Sequence, residues 1–209
     1  DNTCLFTALA LLKWGASVQE SRVTGARLRQ QTAELLRSSV TQGLPLSGVV
    51  FSEALLGRPV DEYCAWIQQD TQWGGEPELQ ALSHLLELEV VAVDTESLTT
   101  LTYGASCSWP RRVYVIFNGT HYDPLVHAAA AMPRDAAQTY PEHLRSFPPG
   151  DEASLRLAVR AARDAKNRRE YMNVAKDTLR CMVCQELLGG QSGAAEHAKK
   201  TGHVNFGPP

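Results

Sequence analysis

Residues 113–125, VYVIFNGTHYDPL, decide the fold. Five β-branched or aromatic residues, Val113 to Phe117, run into Asn118-Gly119, a dipeptide that favours a tight reversal, and a second short strand returns from His121 to Leu125. Upstream, Val90-Val91-Ala92-Val93 is another β-branched run, stopped by Asp94, and Thr99 to Tyr103 reads as a further strand. Everything before that is helical. Residues 4–14 (CLFTALALLKW) are nearly all apolar or small, which predicts a buried helix behind Asp1-Asn2-Thr3, whose side chains suit an N-cap. Residues 22–37 set Leu28, Leu35 and Leu36 among charges and glutamines, an amphipathic helix. Residues 38–50 read as a loop, 51–56 and 59–69 as short helices, and 76–88 as another helix. Between the last two lies the turn Trp73-Gly74-Gly75, where glycine admits positive φ. Helices first and a strand cluster afterwards predict an α+β domain.

The chain has 209 residues, 44% hydrophobic and 21% charged, with a net charge of −3. That balance excludes wholesale disorder and gives the chain as a whole no polyanion-binding character. No apolar run approaches the roughly 18 residues of a membrane helix, so a soluble monomer without membrane insertion is expected. The first residue is Asp1 rather than Met, which predicts that the natural N-terminus lies upstream. Residues 128–150 hold the run Ala128 to Ala131 and several prolines, and read as a linker. Residues 151–180 read as one long helix carrying eight Lys/Arg and five Asp/Glu, a solvated basic face. The expected units are therefore 1–127, 128–150, 151–180 and a compact tail, 181–209.

The tail carries the sharpest chemical spacing. Two residues separate Cys181 from Cys184, twelve separate Cys184 from His197, and five separate His197 from His203. Thiolates at that spacing form a knuckle, a helix is expected to bring the two His to one side, and the four together suit a tetrahedral Zn2+. So short a tail buries too little surface to fold by itself, so metal binding would supply its folding energy. Residues 185–196 contain no Lys or Arg, which argues against a nucleic-acid reader and for a structural or protein-binding finger. The remaining thiols, Cys4, Cys64 and Cys107, are scattered, which fits a reducing compartment rather than a disulfide framework.

Cys4 begins a helix, where the dipole favours thiolate. His121 and Asp123, two apart on a strand, face the same side. An imidazole beside a carboxylate is the orienting pair that a nucleophilic cysteine needs. Spacing alone leaves an inert, buried thiol open as the alternative.

Motifs narrow the choice. Asp1-Asn2-Thr3-Cys4-Leu5-Phe6 resembles the cysteine-loop signature of the ovarian-tumour (OTU) deubiquitinases. Trp73-Gly74-Gly75 with Glu78-Leu79 and Ser83 resembles that family's central motif, and Asn118-Gly119-Thr120-His121-Tyr122-Asp123 its histidine motif. Ser52 to Gly57, Glu62 to Ile67 and the whole tail are similar to the family's thiolesterase branch with a C-terminal zinc finger. The resemblance implies a papain-like cysteine protease fold, with a small mixed sheet between helical layers. It implies Cys4 as nucleophile, His121 as general base and acid, Asp123 as orienter, and a role for Asp1. It also implies an oxyanion loop from Asp1 through Asn2 and Thr3 to Cys4. The implied substrates are ubiquitin conjugates and polyubiquitin chains. A UBX-like domain upstream of this sequence would dock on the valosin-containing-protein AAA ATPase, and the setting would be the cytoplasm and endoplasmic-reticulum-associated degradation (ERAD). Phe147 to Leu155 would contribute a second ubiquitin-binding surface. Three other functions stay in view: a non-catalytic ubiquitin-binding module, a hydrolase of another ubiquitin-like modifier, and a nucleic-acid-binding zinc protein.

Overall fold

A computed structural model describes residues 2–127, 139–173 and 177–207. Five helices come first: α1 (Cys4–Trp14), α2 (Val18–Gln42), α3 (Glu53–Leu56), α4 (Val60–Ile67) and α5 (Glu76–Leu86). Four strands follow: β1 (Glu89–Asp94), β2 (Thr100–Tyr103), β3 (Arg112–Phe117) and β4 (Tyr122–Leu125), in spatial order β2-β1-β3-β4. β1 and β3 are parallel, with Val91 opposite Tyr114, and both outer strands are antiparallel to their neighbours. The sheet is therefore mixed.

Side chains alternate along a strand, so each central strand serves two cores. Val90, Ala92, Val113 and Val115 meet α1, α2 and α5, while Val91, Val93, Tyr114 and Ile116 meet a later helix, α7 (Glu152–Asn167). Burial on both faces is why these strands read as continuous apolar runs. The same logic explains α1, which is apolar nearly all round because it is buried between α2 and the sheet. A separate core of Leu36, Phe51, Val60, Tyr63 and Ile67 joins α2 to α4.

Three expected boundaries move. α2 begins four residues before the predicted 22 and ends five after 37. Ser17 accepts the Glu20 N–H while the Glu20 carboxylate accepts the Ser17 N–H, a capping box that starts the helix early. The expected linker is only partly a linker, because 139–150 belongs to the domain. A short helix, α6 (Glu142–Arg145), places Arg145 to donate to the last carbonyls of α1, Leu12 and Lys13. Phe147 then bridges Arg112 on the side away from β1, continuing the line of β4. Residues 128–138 lie outside the described residues. Phe147 and Leu155 are partly buried, packed against the sheet core.

The long helix expected over 151–180 stops at Asn167. Arg169 takes φ +58°, its N–H donates to the Lys166 carbonyl, and the Glu170 N–H reaches back to Ala165. That is a Schellman stop, a place usually taken by glycine. Beyond it, β5 (Thr178–Cys181), β6 (Leu187–Gly189), α8 (Gly190–Thr201) and β7 (Phe206–Gly207) make a small sheet and helix around Leu179, Cys181, Leu188 and Ala194. Among the described residues, no helix is long and apolar enough to cross a membrane.

Candidate active site

The fold brings the two ends of the 1–127 unit together. α1 lies against β4, so Cys4 at the head of α1 meets His121 at the start of that strand. Cys4 is half-buried, and the His121 side chain and the backbone N–H groups of Tyr122 and Leu5 lie near enough to its sulfur to favour the thiolate. His121 Nε2 lies 3.3 Å from Asp123 Oδ1, which leaves Nδ1 for the thiol. The structure thus brings Cys4, His121 and Asp123 together.

The electrostatics follow from these contacts. Burial works hardest on Cys4 and opposes its ionisation. The His121 hydrogen bond and charge, with the two backbone N–H groups, together outweigh burial and hold the thiol below its ordinary range. His121 is pushed up to about 10, first by Asp123, then by Cys4, against the opposing effect of burial. The two titrate as a pair. Each group favours the charged form of the other, so the pair leans toward thiolate and imidazolium.

The histidine loop is shaped by its own first residue. Asn118 Oδ1 accepts the N–H groups of Thr120 at 3.1 Å and His121 at 2.8 Å. Asn118 also offers its backbone carbonyl to the Met172 N–H at 2.7 Å, and a side chain on Gly119 (φ +100°) would collide with the Met172 carbonyl. The Asn-Gly pair thus forms a four-residue turn and admits the segment that leads to the tail. The second glycine motif works differently from the reading above. Neither Gly74 nor Gly75 has positive φ; a Cβ on Gly74 would lie 2.8 Å from Leu5, so this glycine lets the 73–75 loop touch α1. Glu78 completes the motif: its buried carboxylate accepts the Gly75 N–H at 2.7 Å and the Tyr63 hydroxyl at 2.6 Å.

The cysteine loop departs from expectation at two positions. Thr3 is the N-cap of α1 but makes no side-chain cap bond. The Asn2 N–H donates to the Asp70 carbonyl at 3.0 Å, so it is spent and cannot serve an oxyanion. Among the described residues of the expected set, the N–H groups of Thr3 and Cys4 are the donors left. Asp1 lies outside the described residues. Cys64 is a core thiol bonded to the Ala33 carbonyl.

A groove of about 530 Å³ runs past His121. Asn2, Asp70 and Trp73 line one side, Asn118 and Thr120 the histidine side, and Met182, Asn205 and Phe206 of the tail close it.

In the tail, the ligand atoms of Cys181, Cys184, His197 and His203 all lie within 4.8 Å of one another. Cys181 Sγ is 3.6 Å from His203 Nδ1, Cys184 Sγ is 3.5 Å from His197 Nε2, and the two His nitrogens are 3.4 Å apart. A tetrahedral ion with Zn–S of about 2.3 Å and Zn–N of about 2.0–2.1 Å requires S···N near 3.5 Å and N···N near 3.3 Å. The four side chains fit that ion. His203 sits past the end of α8, beyond Gly202, so only His197 is delivered by the helix, contrary to expectation. Sequence reading also missed Glu186, whose carboxylate lies 3.1 Å from His197 Nδ1 and turns the other ring nitrogen toward the centre.

Comparison with known proteins agrees with this geometry. Residues 1–127 match the family described as OTU-like cysteine protease, and residues 175–208 match the C-terminal C2H2-type zinc finger of ubiquitin thioesterase OTU1. The chain is 37% identical over 207 residues to ubiquitin thioesterase OTU1 of Homo sapiens, covering 99% of this chain and 55% of that protein. It is 36% identical over 209 residues to the Danio rerio protein of the same name, covering 99% and 63%. The chain thus spans little more than half the length of these relatives. A solved structure described as an ovarian tumour (OTU) domain in complex with ubiquitin superposes with a TM-score of 0.61 at 22% identity, over 82% of this chain and 86% of that one, which establishes the shared fold.

Proposed function

Given that this chain belongs to the OTU-like cysteine protease family, we propose that it is a deubiquitinase cutting the isopeptide bond after ubiquitin's C-terminal glycine. The observation that carries the reading is the preformed Cys4–His121–Asp123 cluster opening on a groove. The Cys4 thiolate attacks the glycine carbonyl carbon. The resulting oxyanion is met by backbone N–H groups at the head of α1. As the C–N bond breaks, His121 gives its proton to the departing lysine amine, and a thioester remains on Cys4. His121 then takes a proton from water, the hydroxide attacks the thioester, and ubiquitin leaves with a free carboxylate. Asp123 holds His121 in the tautomer and orientation that serve both steps.

The tail binds Zn2+ through Cys181, Cys184, His197 and His203; the ion there would fold the finger and take no part in the chemistry. The donor set and the fitted separations support this reading. Substrates are ubiquitin conjugates and polyubiquitin chains, supported by the names of the relatives. All three catalytic side chains come from one chain, which supports a monomer. A cytoplasmic setting is supported by the need to keep Cys4 reduced. A place in ERAD, and docking of a larger protein on the valosin-containing-protein ATPase, rest on the branch resemblance alone.

The test is labelling with ubiquitin carrying a C-terminal electrophile. Wild type should gain one ubiquitin mass, and Cys4→Ala should gain none. A folded, zinc-loaded wild type that stays unlabelled by ubiquitin but labels with another modifier would move the substrate class.

A further inference from the structure

Arg29 lies on α2, within a stretch that reads as an ordinary amphipathic helix, yet it is only 3% exposed. Its Nη1 donates to the Ile67 carbonyl at 2.7 Å, and its Nη2 to the carbonyls of Asn2 at 2.8 Å and Gln72 at 3.0 Å. The guanidinium carbon stands 4.5 Å over the Phe6 ring. Its Nε has no hydrogen-bond partner, and among the described residues no carboxylate touches it, although the Glu78 and Asp70 carboxylates lie near enough to favour its charge. A buried cation hydrogen-bonded only to carbonyls is an expensive way to pack a helix, because carboxylates that do not touch it offset only part of its desolvation. Leucine or methionine would fill that space at lower cost. Something other than packing accounts for the guanidinium.

The three carbonyls give the reason. Ile67 ends α4, Gln72 precedes the 73–75 loop, and Asn2 stands two residues before the nucleophile. One planar fork therefore fixes three segments that meet under Cys4. The Asn2 carbonyl belongs to the same peptide plane as the Thr3 N–H. In a trans peptide the two point in opposite directions. Pulling the carbonyl inward onto Arg29 turns the Thr3 N–H the opposite way, away from the buried guanidinium. The Asn2 N–H is already held by Asp70, and its side-chain amide by the Thr71 carbonyl, so the plane is secured on both flanks.

We propose that Arg29 is a positioning residue that holds the Asn2–Thr3 peptide so that the Thr3 N–H faces the developing oxyanion. The inference rests on the thioester mechanism above. It assigns Arg29 no contact with substrate. It also explains why lysine would not replace it: an ammonium lacks the fork that joins Asn2 to Gln72 while reaching Ile67.

The experiment compares wild type, Arg29→Lys, Arg29→Met and Thr3→Pro in the full chain, with fluorogenic ubiquitin C-terminal amide as substrate. Alkylation of Cys4 by iodoacetamide is measured alongside, since that reaction needs the thiolate and no oxyanion donor. We expect kcat to fall about 10²–10³-fold in Arg29→Met, the loss seen for one oxyanion donor. KM should stay within about threefold, and the alkylation rate should change far less than kcat. Arg29→Lys should recover only part of the loss. Thr3→Pro removes the N–H itself and should match Arg29→Met, which keeps the test decisive if the Arg29 variants do not fold. Folded Arg29 variants with wild-type kcat would overturn the proposal, as would a folded Thr3→Pro enzyme of full activity. So would alkylation falling in parallel with kcat. If wild type itself did not turn over the ubiquitin substrate while Cys4 still alkylated rapidly, the failure would lie with the proposed substrate and not with Arg29.

Discussion

Two sulfur–imidazole sites stand on either side of one groove and are built in opposite ways. At Cys4 and His121 a single thiol meets a single imidazole, a carboxylate stands behind, and one side is left open. At Cys181, Cys184, His197 and His203 two thiols and two imidazoles close around a point. The open site is held from outside: α1 and β4 are fixed by a core of Leu5, Phe6, Leu9, Val113, Val115 and Tyr122. Among the described residues the closed site has a core of only four buried residues, so an ion bound there would supply its rigidity. The same two side-chain types thus give reactivity where a hydrophobic scaffold keeps them apart from a metal, and stability where they surround one.

The comparison can be broken most sharply by removing the metal. Chelation should unfold the finger, since zinc contributes about 10–16 kcal/mol to such units. The 1–127 core should stay folded and keep part of its activity, because Cys4 and His121 are held by α1 and β4. Amide exchange would show loss of protection over 178–207 only; collapse of both regions together would mean that the catalytic core leans on the finger. Next in size is Asp123→Asn. Asp123 is the largest influence raising His121, so without it the imidazolium loses its proton at lower pH. The alkaline limb of kcat should move down from near 10, and kcat at neutral pH should fall by about 10²-fold, within the range of general acid–base contributions. A full pH–rate profile reads both. The smallest effect belongs to Glu186→Ala. Loss of this outer partner of His197 should weaken zinc by about 10–100-fold in a competition assay and leave the Cys4 alkylation rate unchanged.

What could be read from the sequence follows the same division. The central strands were legible because Val90–Val93 and Val113–Phe117 are buried on both faces and carry no polar alternation. The zinc ligands were legible because their spacing is local. Cys4, His121 and Asp123 were legible as chemical types, and the motifs joined them across the chain. Ser17 and Glu20 carried the signal for the early start of α2, and that signal went unused. The end of α7 was not legible, since Arg169 occupies a left-handed position that glycine usually marks. Arg29 was hidden because a charged residue among charges reads as surface. The placing of Met172 on Asn118 was hidden because no local pattern encodes a contact between distant segments.

The lowered thiol and the raised imidazole predict that Cys4 and His121 form an ion pair before substrate binds. The direct test is the rate of Cys4 alkylation by iodoacetamide from pH 5 to 10, on zinc-loaded protein with Cys107→Ser to remove the other partly exposed thiol of the catalytic domain. The account predicts a rate that is already on a plateau at neutral pH, with His121→Ala returning the profile of an ordinary thiol. A wild-type rate that climbs about tenfold per pH unit through neutrality, toward the free-cysteine pKa of about 8.5, would contradict it.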